Sequence, residues 1–108
     1  MKFLIMLRNS VDAVPDMEGF QRYFGQLASS GKLAAMERLD SSQHGKVHKG
    51  QPVTTDGPFV EAREVLGGYF VLEAESFDEA MEVATACPTA REGTVFVHPI
   101  LGAPTRGG

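Results

Sequence analysis

Apolar residues in this chain occur in short continuous runs and in longer segments with helical spacing. Three runs, residues 2–8, 69–74 and 94–100, are apolar at successive positions, which predicts strands of a sheet. In the first two runs both alternating sets of positions are apolar, and this indicates strands covered on both faces. A further segment, residues 33–39, has short apolar content with polar flanks and predicts a second strand.

Two segments carry the spacing of amphipathic helices. The first covers residues 16–30 and is expected to stop at Gly31. The second starts at Ser76, which has Glu79 three residues later in the spacing of a capping box, and it is expected to stop before Pro88. The apolar positions are Met17, Phe20, Phe24, Leu27 and Ala28 in the first helix, and Phe77, Ala80, Met81 and Ala84 in the second.

A hairpin is predicted between the second and third long strands, because Lys49 and Gly50 separate two short segments able to pair, with Pro52 on an edge. The order strand, helix, strand, hairpin, strand, helix, strand predicts an α+β fold, the ferredoxin-like βαββαβ arrangement with an inserted β-hairpin. Right-handed crossovers then place both helices on one face of the sheet. We expect one domain over residues 1–101 and a flexible tail at residues 102–108.

The other face of this sheet has no helix to cover it, although both faces carry large apolar side chains. Alternation separates Leu4, Met6, Phe70 and Leu72 from Phe3, Ile5, Tyr69 and Val71. Leaving either set in water would expose an unusually large apolar patch for a monomer. We therefore expect a homodimer in which two copies pack sheet against sheet.

Composition and charge narrow the expected partners. The 108 residues include 10 basic and 14 acidic ones, for a net charge of -4 without a basic cluster, so nucleic acid is not an expected partner. The N-terminal apolar run is too short for a signal peptide or a membrane span, so no membrane partner is expected. The single cysteine, Cys87, cannot form an internal disulfide, and a cytoplasmic location is the expectation. No sequence motif indicates a cofactor.

The segment TTDGPFVEAREVLGGYFVLEA, residues 54–74, contains the main candidate for chemistry, Asp56. One interpretation is that Asp56, Gly57 and Pro58 only form a turn, since an aspartate bonds to its downstream backbone and proline fixes the turn. The other is that a rigid turn holds the carboxylate at the rim of a cleft, where partial burial raises its pKa toward that of a general base. Gly67 and Gly68 are explained by close backbone approach where the next strand enters the sheet.

Charged residues follow Asp56 closely. If residues 60–66 form a helical turn, Glu61 and Glu64 lie near one face. One interpretation is a solvated surface with weak ion pairs. The other pairs a glutamate with Asp56 as acid and base, or with Arg63 as an anion clamp. The candidate site is therefore Asp56 as the catalytic residue, with Arg63, Glu64 and Tyr69 as substrate-binding residues.

The histidines and the cysteine are weaker candidates. His44 and His48 are four residues apart on the predicted hairpin without a third ligand nearby, so no metal site is expected. His98 alternates with apolar residues in the last strand and is expected to be packed or at an interface. Cys87 is expected to be a small core residue without a reactive role.

The residues TDGPFVEAREVLGGYFVLEA, with the preceding hairpin and the later stretches SFDEAMEVATACP and GTVFVHPI, resemble the DGPF branch of the YCII-related proteins, from Met1 to about Leu101. The resemblance implies a ferredoxin-like domain that assembles as a dimeric α/β barrel. Relatives include a dehydrochlorinase, a His-Asp pair is proposed as catalytic in the wider family, and DGPF proteins are often encoded beside extracytoplasmic-function sigma factors. In this chain the first helix has no histidine, so only the aspartate of that pair has a matching position, at Asp56. Lys49-Gly50 stands where relatives commonly have Asp-Gly.

Two functions follow as hypotheses. The first is an enzyme that uses acid/base catalysis on an unknown small molecule in a cleft by the DGPF loop, with Asp56 as the proton carrier. The second is a non-catalytic dimeric module that binds a ligand or a protein, in a regulatory circuit linked to an extracytoplasmic-function sigma factor. In the second, Asp56 only fixes the loop.

Overall fold

The elements of the chain follow the predicted order. The computed structural model describes residues 1–10, 12–40, 43, 45–53 and 64–102. The strands are β1 (Lys2–Ser10), β2 (Leu33–Arg38), β3 (Lys46–His48), β4 (Gln51–Val53), β5 (Glu64–Glu73) and β6 (Thr94–Pro99), the helices are α1 (Met17–Ser29) and α2 (Phe77–Thr85), and a short 3-10 helix covers Pro88–Arg91. β5 begins five residues before the strand predicted at 69–74. Residues 64–66 are therefore in a strand, and the helical turn considered for residues 60–66 is wrong for these three. Among the described helices, none has the length and apolar character needed to cross a bilayer.

The four long strands form one antiparallel sheet in the order β2-β5-β1-β6, and β3 and β4 form a separate two-stranded hairpin. Without the hairpin this is the ferredoxin-like strand order, so the predicted α+β fold is confirmed. The hairpin turns through Lys49 and Gly50, both with positive φ (49° and 81°). Pro52 pairs with Val47 in this ribbon, where each strand is an edge as predicted. The predicted tail, except Gly102, lies outside the described residues.

Both helices begin at side-chain caps. Asp16 accepts a hydrogen bond from the backbone N–H of Gly19 (2.9 Å), and Ser76 accepts one from the N–H of Glu79 (3.1 Å). The Glu79 carboxylate accepts in return from the N–H of Glu75 (3.0 Å), one residue before the cap. The spacing of Ser76 and Glu79 therefore predicts the start of α2 correctly, with a small change in the reciprocal bond.

The core lies between the helices and one face of the sheet. Its fully or nearly buried members include Phe24 and Leu27 of α1, Ala80 and Ala84 of α2, and Phe3, Ile5, Leu7, Phe70 and Leu72 of the sheet. β1 and β5 pair Phe3 with Leu72 and Ile5 with Phe70, so these four side chains share the helix-covered face. The predicted grouping of Phe70 and Leu72 with Leu4 and Met6 is wrong, because alternation within one strand does not define the register with the next.

The opposite side of the sheet, called here the open face, carries half-buried and exposed apolar residues. Its central members are Leu4, Met6, Arg8, Tyr69, Val71, Phe96 and His98. Phe96 is 37% exposed, the Arg8 guanidinium lies 6.0 Å from the centre of its ring, and the His98 ring stacks on it at 6.4 Å. The two-faced apolar pattern is therefore present, and the homodimer that it predicts stays a prediction.

Candidate functional site

A cavity of about 500 Å³ opens between α1 and the sheet, at the end where β1 and β2 finish and β5 begins. Small-molecule sites in proteins usually measure roughly 300–1,000 Å³. Its described lining residues are Leu7, Asn9, Ser10, Ala13, Pro15, Met17, Phe20, Gln21, Phe24, Met36, Glu37, Arg38, Leu39, Val65, Gly67, Gly68 and Tyr69. The cavity thus has the size of a site for a small organic molecule.

An irregularity in the sheet shapes this cavity. The register of β1 with β5 shifts after the pair Leu7 and Gly68, and Arg8 then faces Leu66, so Gly67 is an extra residue in β5. Such a bulge bends the strand and changes the direction of neighbouring side chains. A methyl group on Gly67 would meet the side-chain amide of Asn9, which therefore lies directly over this glycine.

Gly68 allows β2 to approach β5 at the floor of the cavity. A methyl group at this position would lie 2.8 Å from the backbone carbonyl oxygen of Glu37, which is too close for van der Waals contact. One residue beyond β2, the N–H of Leu39 donates to the carbonyl of Gly67 in β5 (3.0 Å). The prediction that this glycine pair permits close backbone approach is confirmed at Gly68.

The wall of the cavity toward α1 is apolar and aromatic. Phe20 and Phe24 lie parallel with ring centres 6.0 Å apart, and Phe24 meets Phe70 edge to face at 5.1 Å. Met17 and Met36 line the cavity and remain 51% and 39% exposed. Flexible thioether chains adapt to ligands of different outline. The apolar side of the site therefore suits a flat, apolar molecule.

Polar side chains reach the cavity from the ends of two strands. Asn9 and Ser10 end β1, where the Ser10 hydroxyl accepts from the N–H of Asp12 (3.3 Å) and its carbonyl accepts from the N–H of Ala13 (3.0 Å). Arg38 ends β2. The sequence analysis missed Asn9, Ser10 and Arg38. The only feature of the sequence that could have indicated them is their place as polar residues at the end of an apolar segment.

The predicted site residues are placed only in part. Asp56 and Arg63 lie outside the described residues. Glu64 is the first residue of β5, and its side chain is also outside the described part. Tyr69 is half-buried and belongs to the cavity lining, while its pairing with Met6 and Glu37 places its side chain on the open face.

The histidines lie away from the cavity where they are described. His48 is in the hairpin strand β3 and His98 is on the open face, whereas His44 falls outside the described residues. In the part of the chain that the structure covers, no three potential metal ligands come together.

Two further titratable groups are buried in the core rather than in the site. Burial raises the pKa of the Cys87 thiol, whose side chain is fully buried. Burial, with a smaller effect of Cys87, also raises the pKa of Tyr23, whose hydroxyl donates to the carbonyl of Val83 (2.5 Å). Both side chains belong to the packing of the helices, and the expectation of a core role for Cys87 is confirmed.

Known proteins that resemble this chain agree with the architecture. A solved structure of 5-chloro-2-hydroxyhydroquinone dehydrochlorinase from Burkholderia phenoliruptrix, in complex with 2,5-dihydroxybenzoquinone, superposes with a TM-score of 0.62, covering 95% of this chain and 96% of the other. The two sequences are 15% identical, so this likeness concerns the fold.

Sequence relatives define the family. An uncharacterised protein of Rhizobium meliloti (strain 1021) is 27% identical over 79 residues, which are 73% of this chain and span 64% of the length of that relative. The model of the YCII-related domain matches residues 1–103, nearly the whole chain. The chain therefore belongs to the YCII-related domain family.

Proposed function

We propose that the protein is a small-molecule enzyme that uses acid/base catalysis in the cavity beside α1, with Asp56 as the proton carrier. The observation that carries this proposal is the cavity itself, whose size and mixed apolar and polar lining suit a small organic molecule. The chain enters β5 at Glu64, eight residues after Asp56, and Val65 already lines the cavity. The segment with the aspartate thus leads directly into the site.

The proposed chemistry is a proton transfer within the substrate. The Asp56 carboxylate takes a proton from a carbon or hydroxyl of the substrate and returns it to another atom, so the step needs no oxidant or reductant. The proposed role requires that desolvation of the Asp56 carboxylate raise its pKa toward neutral pH, where a general base works best. Arg63 and Glu64 are proposed to bind the substrate through their side chains, and Tyr69, whose side chain is on the open face, through its backbone at the cavity. The structural neighbour acts on a hydroxylated ring compound, which supports ring compounds as trial substrates.

The proposed enzyme is a homodimer. Its two copies pack through the open face, where Leu4, Met6, Val71 and Phe96 present apolar surface that none of the described helices covers. A light-scattering mass of one chain at micromolar concentration would contradict this assembly. Phe96→Glu should produce that monomer, because it brings a charge into the apolar centre of the interface. A cytoplasmic location accords with the single, buried, free cysteine Cys87.

A non-catalytic dimeric module that binds a ligand or a protein in a regulatory circuit is the second candidate function. One observation favours it. The described lining residues of the cavity include no histidine, so the partner that a catalytic aspartate would use in the wider family has no counterpart among them. In this reading the same cavity binds a ligand without turnover.

Hydrogen exchange at carbon separates the two functions. Cyclic ketones, hydroxyquinones and 5-chloro-2-hydroxyhydroquinone are incubated with the protein in D₂O, and deuterium incorporation is followed by NMR. We expect exchange that falls by a factor of roughly 100 or more in Asp56→Asn, as is typical for loss of a general base.

Asp78→Asn is the matched control, because Asp78 is an exposed aspartate on α2 outside the cavity lining. It should exchange at the wild-type rate. Exchange that continues unchanged in Asp56→Asn would eliminate Asp56 as the proton carrier.

A further inference from the structure

The position of Arg38 distinguishes it from the other charged residues of the sheet. On β2, Met36 pairs with Phe70 and Arg38 pairs with Gly68, so both lie on the helix-covered face, and both line the cavity. Because Gly68 has no side chain, nothing on β5 fills the space directly beside Arg38. Arg38 therefore borders the floor of the cavity beside Gly68.

Arg38 brings positive charge to the cavity. It is the single cationic residue among the described lining residues, and no salt bridge joins it to a carboxylate in the part of the chain that the structure describes. Glu37 also belongs to the lining, but it pairs with Tyr69 on the open face, and it approaches Gly68 through its backbone carbonyl. A guanidinium presents a planar fork of donors that fits a carboxylate.

A second polar group lies on the other side of β5. Asn9 is on β1, two strand spacings from β2, which is roughly 10 Å across the sheet. Leu7 and Arg38 both pair with Gly68 and so lie level across the sheet. Asn9 is two residues beyond Leu7, which is roughly 7 Å along the strand. The rings of Phe20 and Phe24 line the same cavity. The gap between Asn9 and Arg38 accommodates one or two fused six-membered rings.

We propose that the cavity binds an organic anion with a flat apolar body, whose acid group pairs with Arg38 and whose rings lie against Phe20 and Phe24. Arg38 then determines specificity for anions over neutral molecules of the same shape, and Asn9 offers a hydrogen bond at the far end. This inference rests on the proposed function only in placing the substrate in the same cavity.

Fluorescence anisotropy of 2-naphthoate and of its neutral analogue 2-naphthamide tests the inference. The chain contains no tryptophan, so naphthalene emission is read without interference. Both probes are titrated with the full-length wild-type protein and with Arg38→Gln. The matched control is Arg22→Gln, which removes the same charge from an exposed position of α1 outside the cavity lining.

We expect wild-type protein to prefer naphthoate over naphthamide by roughly tenfold. This ratio is at the lower end of the range for a hydrogen bond to a charged group, because Arg38 is exposed to solvent. Arg38→Gln should remove this preference and leave naphthamide binding unchanged, and Arg22→Gln should change neither. Added salt should weaken only naphthoate binding. Equal binding of both probes, binding of neither, or an equal loss of both in Arg38→Gln would overturn the inference.

The naphthoate titrations and the deuterium exchange of Asp56→Asn together separate this inference from the proposed function. If naphthoate binding depends on Arg38 while deuterium exchange does not depend on Asp56, the anion site stands and the enzyme does not. If exchange depends on Asp56 without any preference for naphthoate, the enzyme stands and the substrate class is wrong.

Discussion

Replacing Gly68 by alanine tests the close approach of strands that forms the floor of the cavity. The new methyl carbon would lie 2.8 Å from the carbonyl oxygen of Glu37, about 0.6 Å short of the 3.4 Å at which ordinary contact begins. Both groups belong to the backbone of paired strands, and the bond from Leu39 to Gly67 holds those strands together beside the clash. The contact cannot be relieved by turning a side chain, so β2 and β5 must separate.

The expected cost follows from this overlap. Overpacking by one methyl group typically destabilises a protein by about 1–3 kcal/mol, and alanine returns about 0.4–1 kcal/mol by restricting the unfolded chain. The free energy of unfolding should therefore fall by about 1–2 kcal/mol, and the melting temperature by roughly 5–10 °C. Urea and thermal unfolding followed by circular dichroism measure both quantities.

Gly67→Ala provides the comparison for Gly68→Ala. Its methyl group would meet the amide of Asn9, a side chain that can rotate away, so we expect a smaller loss of stability. It should instead weaken ligand binding, because the displaced amide lines the cavity. If Gly68→Ala unfolds at the wild-type urea concentration, or is more stable than Gly67→Ala, the close approach is not what this glycine provides.

Three further predictions concern other parts of the molecule. Gly25→Ala should raise the free energy of unfolding by about 0.5–1 kcal/mol in a urea titration, because Gly25 is exposed in α1 and its new methyl group meets no atom within 4 Å. The hydrogen bond from Lys32 lowers the pKa of Glu79 in the folded protein. The Glu79 carboxylate therefore contributes to folding stability above its unfolded pKa, and this contribution is lost as pH falls through its folded pKa. Wild type and Glu79→Gln should differ in stability at neutral pH and converge below about pH 4. Burial raises the pKa of the Cys87 thiol, so iodoacetamide should modify it in urea and leave the folded protein unlabelled at pH 8 over the same time, and equal labelling would contradict its burial.

The order of elements was predictable from the sequence because each element depends on local spacing. The capping pair Ser76 and Glu79, the turn at Lys49 and Gly50, and the apolar runs all act within a few residues. The division of residues between the two faces was not predictable in the same way. It depends on which residue of β5 stands opposite each residue of β1, and the extra residue at Gly67 shifts that correspondence in mid-strand.

The site was less accessible to sequence reasoning than the fold. Asp56 is conspicuous because it stands in a turn-forming motif, and Arg63 because it stands in the charged cluster that follows, whereas Asn9 and Arg38 look like ordinary residues at strand ends. They line one cavity because β1 and β2 both end beside the start of β5. No local pattern encodes that convergence, since it arises only when strands distant in sequence pair.

The bulge at Gly67 shapes the end of the sheet at which the cavity opens. Beyond the bulge, Leu66 pairs with Arg8 of the open face, and Val65 pairs with Asn9 and lines the cavity. If β5 instead alternated regularly through Gly67, Leu66 would point toward α1 and Val65 away from it. A leucine side chain would then occupy space that is now cavity. The glycine that interrupts the strand therefore creates room for a ligand, and it does so at the point where the Asp56 segment joins the sheet.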